Sequence, residues 1–598
     1  MTIYEILNNI FKNEKFELSP RKFCPEYRDV LADEDKPIFD LLKNISSLAE
    51  SVDNDRIEFC PMFVAADGSR TFSIEDISDS EVSILNDLDF DKLPLTLRAR
   101  VSDLLWVSKK DFNCAKIAAR SNWELFKLWY KDDDNLGSLD RMRRAICISR
   151  ETNLTAIYNE ICAWVKSFIE SESVYAAGFF SLRLMELFVE QKNYDSAVFI
   201  PILDEIIKRN VYDVSITEQA YNLKTRCLFK NKRKEEAIRN NILLADYYVN
   251  HAEGIVSSDT QGALRAVPFY QKAIQLYRNN GEAQRGEETL KKLVEIQKNI
   301  PSTMAPFLLN FNVGGIVENI ETNMKDLSFE ESVIRITQMI KFDTREEIKQ
   351  RVIDEYKSSP IFHLFSKSIL NEHGQTILTL PPLDLDDPEK DQRVLELHMH
   401  QKALEHQNIV GDIWIKNALR IIQERFTVDN LKVDFLVKDN PIIPTGREGI
   451  IRSGVKMFLC GEYYEAMHIL APQTENIFRN IAREARSVTV TLEEDGSSKE
   501  KVLQSIFSLP ELVDCYDNDT LFAFRGLLNE LAGANIRNKI AHGIISEYDC
   551  SSGACLFFGA AIIRLLSYTS KECINILRNS EKLKHYEILK EDALKKTN

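Results

Sequence analysis

Apolar and polar residues along this chain follow two periods, and the helical one covers most of its length. From Leu93 to about Asn299 apolar side chains recur every three to four residues, the spacing that lines one face of an α-helix. Clear cases are 96–107, 112–129, 175–191 and 265–277, separated by polar turns such as Gln191-Lys-Asn193-Tyr and Lys230-Asn-Lys-Arg-Lys234. Two turns recur in phase: Glu190-Gln-Lys-Asn-Tyr-Asp-Ser-Ala197 and Lys230-Asn-Lys-Arg-Lys-Glu-Glu-Ala237 begin 40 residues apart, and a third helical pair follows over 265–299. The pattern predicts a helical-hairpin array of the tetratricopeptide or HEAT kind, with a period too loose to assign one type. Its function would be a concave surface for a partner; an irregular helical domain packed on its neighbours gives the same pattern.

On either side of this stretch the pattern changes. Residues 1–90 are mixed, with short apolar runs broken by Asp- and Ser-rich segments such as Asp76-Ile-Ser-Asp-Ser-Glu81. Ile300-Pro301 ends the array, and residues 301–440 read as a helical middle region. Within it Thr376-Ile-Leu-Thr-Leu380 is extended, Asp384-Leu-Asp-Asp387-Pro388 marks a hinge or loop, and 393–425 is helical again. Asn440-Pro441-Ile-Ile-Pro444 introduces a last domain, 441–598. There Ser487-Val-Thr-Val-Thr-Leu492 alternates like a strand ahead of the turn pair Asp495-Gly496, which predicts a small β-hairpin between helices. The predicted class is mainly α, in four regions: 1–90, 91–300, 301–440 and 441–598.

Composition narrows the setting. At 598 residues, 44% hydrophobic and 28% charged, the chain has length for large cores and an ordinary globular balance. No apolar run approaches the ~20 residues a transmembrane helix needs. The opening Met1-Thr-Ile-Tyr-Glu-Ile-Leu has an early acid and no basic stretch before an apolar one, unlike a signal peptide. Eleven cysteines include no Cys-x-x-Cys pair, which suits reduced thiols in a cytoplasm. A net charge of −16 argues against a general nucleic-acid coat protein. The excess acid lies ahead of residue 441; beyond it 19 Lys and Arg face 21 Asp and Glu. A small basic cleft can therefore exist there, with Arg479, Arg483 and Arg486 as candidates for contacting RNA, or as a solvated face in which Glu475 and Arg479 pair.

One stretch suggests a reaction: Asn535-Ile-Arg537-Asn538-Lys-Ile-Ala-His542-Gly543. On a helix Asn538 and His542 share a face, while Arg537 points about 140° from His542 and curls back at a helix end. Gly533 and Gly543 permit such an end. The grouping suits cleavage of a phosphodiester without metal. His542 would move a proton at the 2′-OH or the leaving oxygen, Arg537 would stabilise the phosphorane, and Asn538 would orient the imidazole or a phosphate oxygen. Lys539 would add weak RNA contact. Spacing alone is unspecific, since chance gives about half of one Arg-x4-His match in a chain of this composition, and Arg393-Val-Leu-Glu-Leu-His398 is a second one. The other reading is a helix end with a satisfied histidine.

Other constellations carry less. His398 and His400 point about 200° apart on a helix, and His406 lies two turns from His398, so no metal site is expected. Asp384, Asp386 and Asp387 lack the Gly and distal Glu of an EF-hand. No phosphate-binding Gly loop, dinucleotide fingerprint or nucleophile elbow occurs, and no cofactor is expected.

The run Gly461-Glu-Tyr-Tyr-Glu-Ala-Met-His-Ile-Leu470-Ala-Pro472-Gln-Thr-Glu475-Asn-Ile-Phe-Arg479, the hairpin at Glu494-Asp495-Gly496 and the Arg537–His542 motif together resemble a bacterial domain of unknown function (4209), a branch of the HEPN superfamily. Arg98-Ala-Arg100-Val-Ser-Asp103-Leu-Leu-Trp106 resembles the helical region found ahead of it. The resemblance implies a C-terminal HEPN-like bundle of four to five helices that dimerises and sets two motifs across one cleft. It implies a metal-independent endoribonuclease with Arg537, Asn538 and His542 catalytic, of a kind used in anti-phage defence or as toxins. It also allows a relative that binds a protein or nucleotide and cuts nothing. The resulting expectation is a cytoplasmic, dimeric ribonuclease acting on RNA, with a regulatory protein on the helical array and no membrane partner; the alternative is an interaction module.

Overall fold

The apolar stripes read from the sequence fold, in a computed structural model, into a mainly helical protein whose sheets, among the described residues, are all two-stranded. The structure describes residues 2–12, 18–53, 56–65, 68–131, 135–191, 194–209, 213–259, 261–304, 311–359, 365–384, 389–584 and 595–596. The predicted loop at 384–388 and the turn at 191–194 fall largely outside them. Two compact units form, residues 1–293 and 294–598. Helices of eight residues or more are numbered here in chain order.

The first unit opens with α1 (Ile3–Ile10), α2 (Lys36–Ile45), the antiparallel hairpin β1 (Leu48–Asp53) and β2 (Arg56–Pro61), and α3 (Asp79–Asn86). Thr2 and Glu5 close a reciprocal capping box that starts α1, and Ser78 with Glu81 does the same for α3. These elements pack with α4 (Leu95–Lys109) around Phe11, Phe23, Phe39, Leu97 and Leu104. The unit continues through α5 (Phe112–Lys131), α6 (Asn135–Glu151), α7 (Thr155–Ile169), α8 (Phe179–Val189), α9 (Ile200–Arg209), α10 (Val214–Lys230), α11 (Lys234–Ser258), α12 (Gly262–Asn279) and α13 (Ala283–Gln297). The sequence predicts one helix over 175–191; instead Gly178, at φ 51°, turns the chain and α8 starts after it.

The second unit holds α14 (Gly314–Met324), α15 (Phe329–Met339), α16 (Arg345–Ser358), a hairpin of β4 (Lys367–Leu370) and β5 (Thr376–Leu380), α17 (Gln392–Val410), α18 (Lys416–Arg425), α19 (Glu448–Cys460), α20 (Tyr463–Glu484), α21 (Asn518–Leu528), α22 (Gly553–Thr569) and α23 (Lys571–Asn579). A short pair, β3 (Phe311–Asn312) with β8 (Lys595–Lys596), also belongs to it. The hairpin predicted around Asp495-Gly496 is present as β6 (Val490–Leu492) and β7 (Ser498–Glu500), with Gly496 at φ 81° in the turn. The helical stretch predicted over 393–425 is broken by a π-turn, Gly411–Ile415, between α17 and α18.

Helix α22 is buried on nearly every side and touches α15, α17, α20 and the π-turn. Its first turn has no room for side chains: a Cβ on Gly553 would collide with the Asn408 carbonyl, and one on Gly411 with the Gly553 carbonyl. The Asn408 side chain accepts the Ala554 N–H at 2.9 Å and so serves one of the amides left open at the helix start. No single helix among the described residues is long and apolar enough to cross a membrane.

Gly553→Ala must separate two backbones, so it should destabilise the second unit by about 3 kcal/mol or more. Gly449→Ala, in α19 with nothing within 4 Å of the added methyl, should be neutral or slightly stabilising. Urea unfolding of the two variants beside the parent checks the contrast.

Candidate functional site

The Arg-Asn-His motif lies on a short helix, Ile536–Ala541, between α21 and α22. Asn535 caps its start in a left-handed conformation, φ 54°, one that Asn tolerates better than most residues. Its end is closed by Gly543 at φ 66°, with the Ile544 N–H donating to the Lys539 carbonyl at 2.9 Å. Gly533 allows the connection to pass against the Gly526 carbonyl, where a Cβ would collide.

Within this frame the three motif side chains differ. Arg537 donates through Nε to Glu475 at 2.8 Å and through Nη1 to Asn538 Oδ1 at 3.1 Å. The Asn538 amide donates to Asn535 Oδ1 at 2.8 Å and to the Asn529 carbonyl at 3.3 Å. Arg537 and Asn538 therefore hold the short helix against α20 and its own N-terminus. His542 stands at the C-cap, exposed, and its imidazole has no hydrogen bond or ion pair to a described residue. It does not have the buried, backbone-bonded setting of a satisfied histidine.

The arginines expected to contact RNA are mostly engaged inside the fold. Glu475 also takes Arg479, at 2.7 Å, and Arg479 donates to Glu500 on β7 at 2.9 Å and to the Lys501 carbonyl at 2.8 Å. Arg483 pairs with the same Glu500 and donates to Thr489 Oγ1 at 3.2 Å. The two arginines thus hold the hairpin against α20. Arg486, at φ 63°, ends α20 and is exposed, and Lys539 is half-buried with no ion pair to a described residue.

The histidines at 398–406 go to separate partners. His398 Nε2 lies 2.8 Å from the Pro381 carbonyl, and His406 Nδ1 lies 2.8 Å from Asp343 Oδ2. His400 is 2% exposed and stacks on Phe522 with ring centroids 4.0 Å apart, and neither ring nitrogen has a hydrogen-bond partner. Burial, and after it the charges of Arg525 and Arg345, push its pKa down to about 3.

A charged cluster that sequence reasoning missed sits in the first unit. Arg144 on α6 grips Asp103 on α4 with two bonds, the Nε one at 2.6 Å, and both side chains are about 95% buried. Beside them Glu50 on β1 lies 3.1 Å from Arg100 and 2.5 Å from Arg141. Burial pushes the Glu50 carboxyl up, but the Arg141 and Arg100 guanidiniums outweigh it and leave its pKa at about 2. The signal was available: Arg100 and Asp103 lie among the apolar residues Ala99, Val101, Leu104 and Leu105 of one helix, and Arg141 and Arg144 are one helical turn apart.

Residues 10–156 match a family described as Domain of unknown function (DUF7380), and that segment contains the whole cluster as well as Arg98–Trp106. No curated protein and no solved structure matches the chain. The resemblance of the C-terminal part to HEPN and to domain 4209 is overturned: neither is found, and no family matches that region. The physical reason is the weakness of its carriers, since Arg-x4-His is a chance-level spacing and Glu475, Arg479, Arg537 and Asn538 have structural bonds that explain their presence.

The His400 geometry sets a pH dependence. An unfolded histidine titrates near 6.5, so between pH 6.5 and about 3 the unfolded chain binds a proton that the folded one does not. The stability from keeping His400 neutral is full above pH 6.5 and is lost as pH falls through that window, by roughly 2–4 kcal/mol. Denaturant unfolding from pH 7 to 4 should show this slope, and His400→Phe, which keeps the stacking, should flatten it.

Proposed function

We propose that the chain is a non-catalytic interaction protein: helices α5–α13 form a hairpin array that holds an extended segment of a partner protein in the groove between α8 and α10. The array reading is supported by cross-helix bonds whose partners recur 39–41 residues apart. They join Arg120 to Glu160, Arg150 to Gln191, Arg226 to Glu186, Asn241 to Asn280 and Lys292 to Glu253. A repeat that stacks each hairpin on the last gives such spacing.

The groove has a volume of about 230 Å³ and is floored by Leu182 and Leu223. The observation that carries the reading is that the side-chain amides of Gln219 and Asn222, which line it, make no hydrogen bond to a described residue. Each amide offers a donor and an acceptor, the same pair that a peptide unit presents. Arg183 and Arg226 share Glu186, and Arg226 also lies 3.5 Å from Glu190, so the charges at the groove are balanced and the two amides are left to read a partner's main chain. Random-peptide selection on the full chain should enrich sequences that bind the Gln219→Ala/Asn222→Ala variant about tenfold more weakly. Absence of enrichment, or equal binding to the variant, would sink the proposal.

Metal-free RNA cleavage by Arg537, Asn538 and His542, in a dimer formed through the C-terminal region, is the second reading. It is favoured by the exposed imidazole of His542, an unengaged acid–base group five residues from a guanidinium. Incubation of single-stranded RNA with the protein in excess EDTA decides it. Cleavage that leaves a 2′,3′-cyclic phosphate and falls ~10²–10⁴-fold in His542→Ala supports the reading. A requirement for Mg²⁺, or indifference to that substitution, ends it.

A further inference from the structure

A cavity of about 360 Å³ opens beside the Glu50 cluster, inside the segment matched to the domain of unknown function. Its size falls in the usual range for small-molecule pockets. Its apolar lining includes Leu48, Leu125 and Trp129. Its charged lining is three arginines, Arg100, Arg141 and Arg143, with Glu50 and the exposed Asp140.

Three polar groups of the lining residues have no hydrogen-bond partner among the described residues. Thr96 lines the cavity, is 4% exposed, and its hydroxyl has no hydrogen-bond partner. Arg141 uses its two Nη atoms on Glu50 and Asn122, while its buried Nε–H is unbonded. Arg143 makes no ion pair or hydrogen bond to a described residue. A purely structural network would match its donors internally, because a buried donor without an acceptor costs the full desolvation of that group. Here the Arg143 guanidinium lines the cavity with no partner among the described residues, the unmatched Thr96 hydroxyl and Arg141 Nε–H lie closed off beneath its surface, and the carboxylate present is already shared by two arginines.

We infer that this cavity is a binding site for a small organic anion, a carboxylate or phosphate monoester. The acidic group would meet Arg143, and an apolar body would lie against Leu48, Leu125 and Trp129. Guanidinium forks suit either oxyanion, and the indole face suits a flat or aliphatic body. The volume admits a ligand of metabolite size and excludes a folded macromolecule.

Calorimetric titration of the full chain with benzoate, phenyl phosphate and the neutral benzyl alcohol tests this. At least one anion should bind, at least tenfold more tightly than the alcohol. Arg143→Met should weaken that anion about tenfold and Arg143→Glu further. Both variants should melt within a degree or two of the parent, since Arg143 makes no ion pair or hydrogen bond to a described residue. Preference for phenyl phosphate would assign a phosphate ligand, and preference for benzoate a carboxylate. Failure of both anions to bind, equal binding of the alcohol, or unchanged affinity in both variants would overturn the inference.

Discussion

Where the Asn408–Gly411 backbone crosses the start of α22, two chains touch without a side chain between them. That approach fixes the position of α22 among α15, α17 and α20, and α22 is the helix most completely surrounded by apolar contacts in its unit. It also explains the π-turn. Inserting one residue into the helical ladder shifts the register between α17 and α18, and it places Gly411 where the second backbone passes. From α22 the constraint passes to α20, whose Ala466, Met467, Leu470 and Ala471 are buried in the same core. α20 also carries Glu475 and Arg479 at the edge of this buried face, and those two anchor both the β6–β7 hairpin and the Arg537 helix. The geometry of the Arg-Asn-His segment is thus set by a backbone contact several elements away.

The first unit is organised differently, around charge as well as apolar packing. A fully buried Asp–Arg pair beside a Glu shared by two arginines costs desolvation that an apolar core would not. Aliphatic residues of similar volume would fill the same space between α4 and α6 without that cost. The pairing fixes the relative register of β1, α4 and α6, because each guanidinium reaches its carboxylate in only one arrangement. It also leaves an excess of cationic donors facing the cavity, which a core built for stability alone does not need.

Much of the helical architecture was legible because it rests on local pattern. The spacing over 96–107, 112–129 and 265–277 matches α4, α5 and α12, and Asp495-Gly496 marked the β6–β7 turn. What the pattern missed depends on contacts distant in sequence or on single backbone angles. Gly178 divides a continuous apolar run because of its φ, and the π-turn interrupts 393–425 because of α22, more than 130 residues later. The site was harder still. Arg537 and Asn538 look like reactive groups when read six residues at a time, but their partners Glu475 and Asn529 lie 62 and 9 residues away. Conversely, Arg100, Asp103, Arg141 and Arg144 form no short motif, and their convergence appears only when α4 and α6 are packed together.

These two charged sites bear on function in opposite ways. At the C-terminal motif the guanidinium and the amide are engaged within the protein through Arg537 Nε and Nη1, so the charge Arg537 could offer a phosphodiester is already shared with Glu475. A guanidinium paired with a carboxylate stabilises a developing negative charge less than a free one, and the same holds for each copy in a dimer. The cavity beside Glu50 requires no such exchange, because Arg143 on α6 has no partner among the described residues to give up. An uncommitted guanidinium therefore points to recognition of an anion in the first unit more strongly than a committed one points to chemistry in the second.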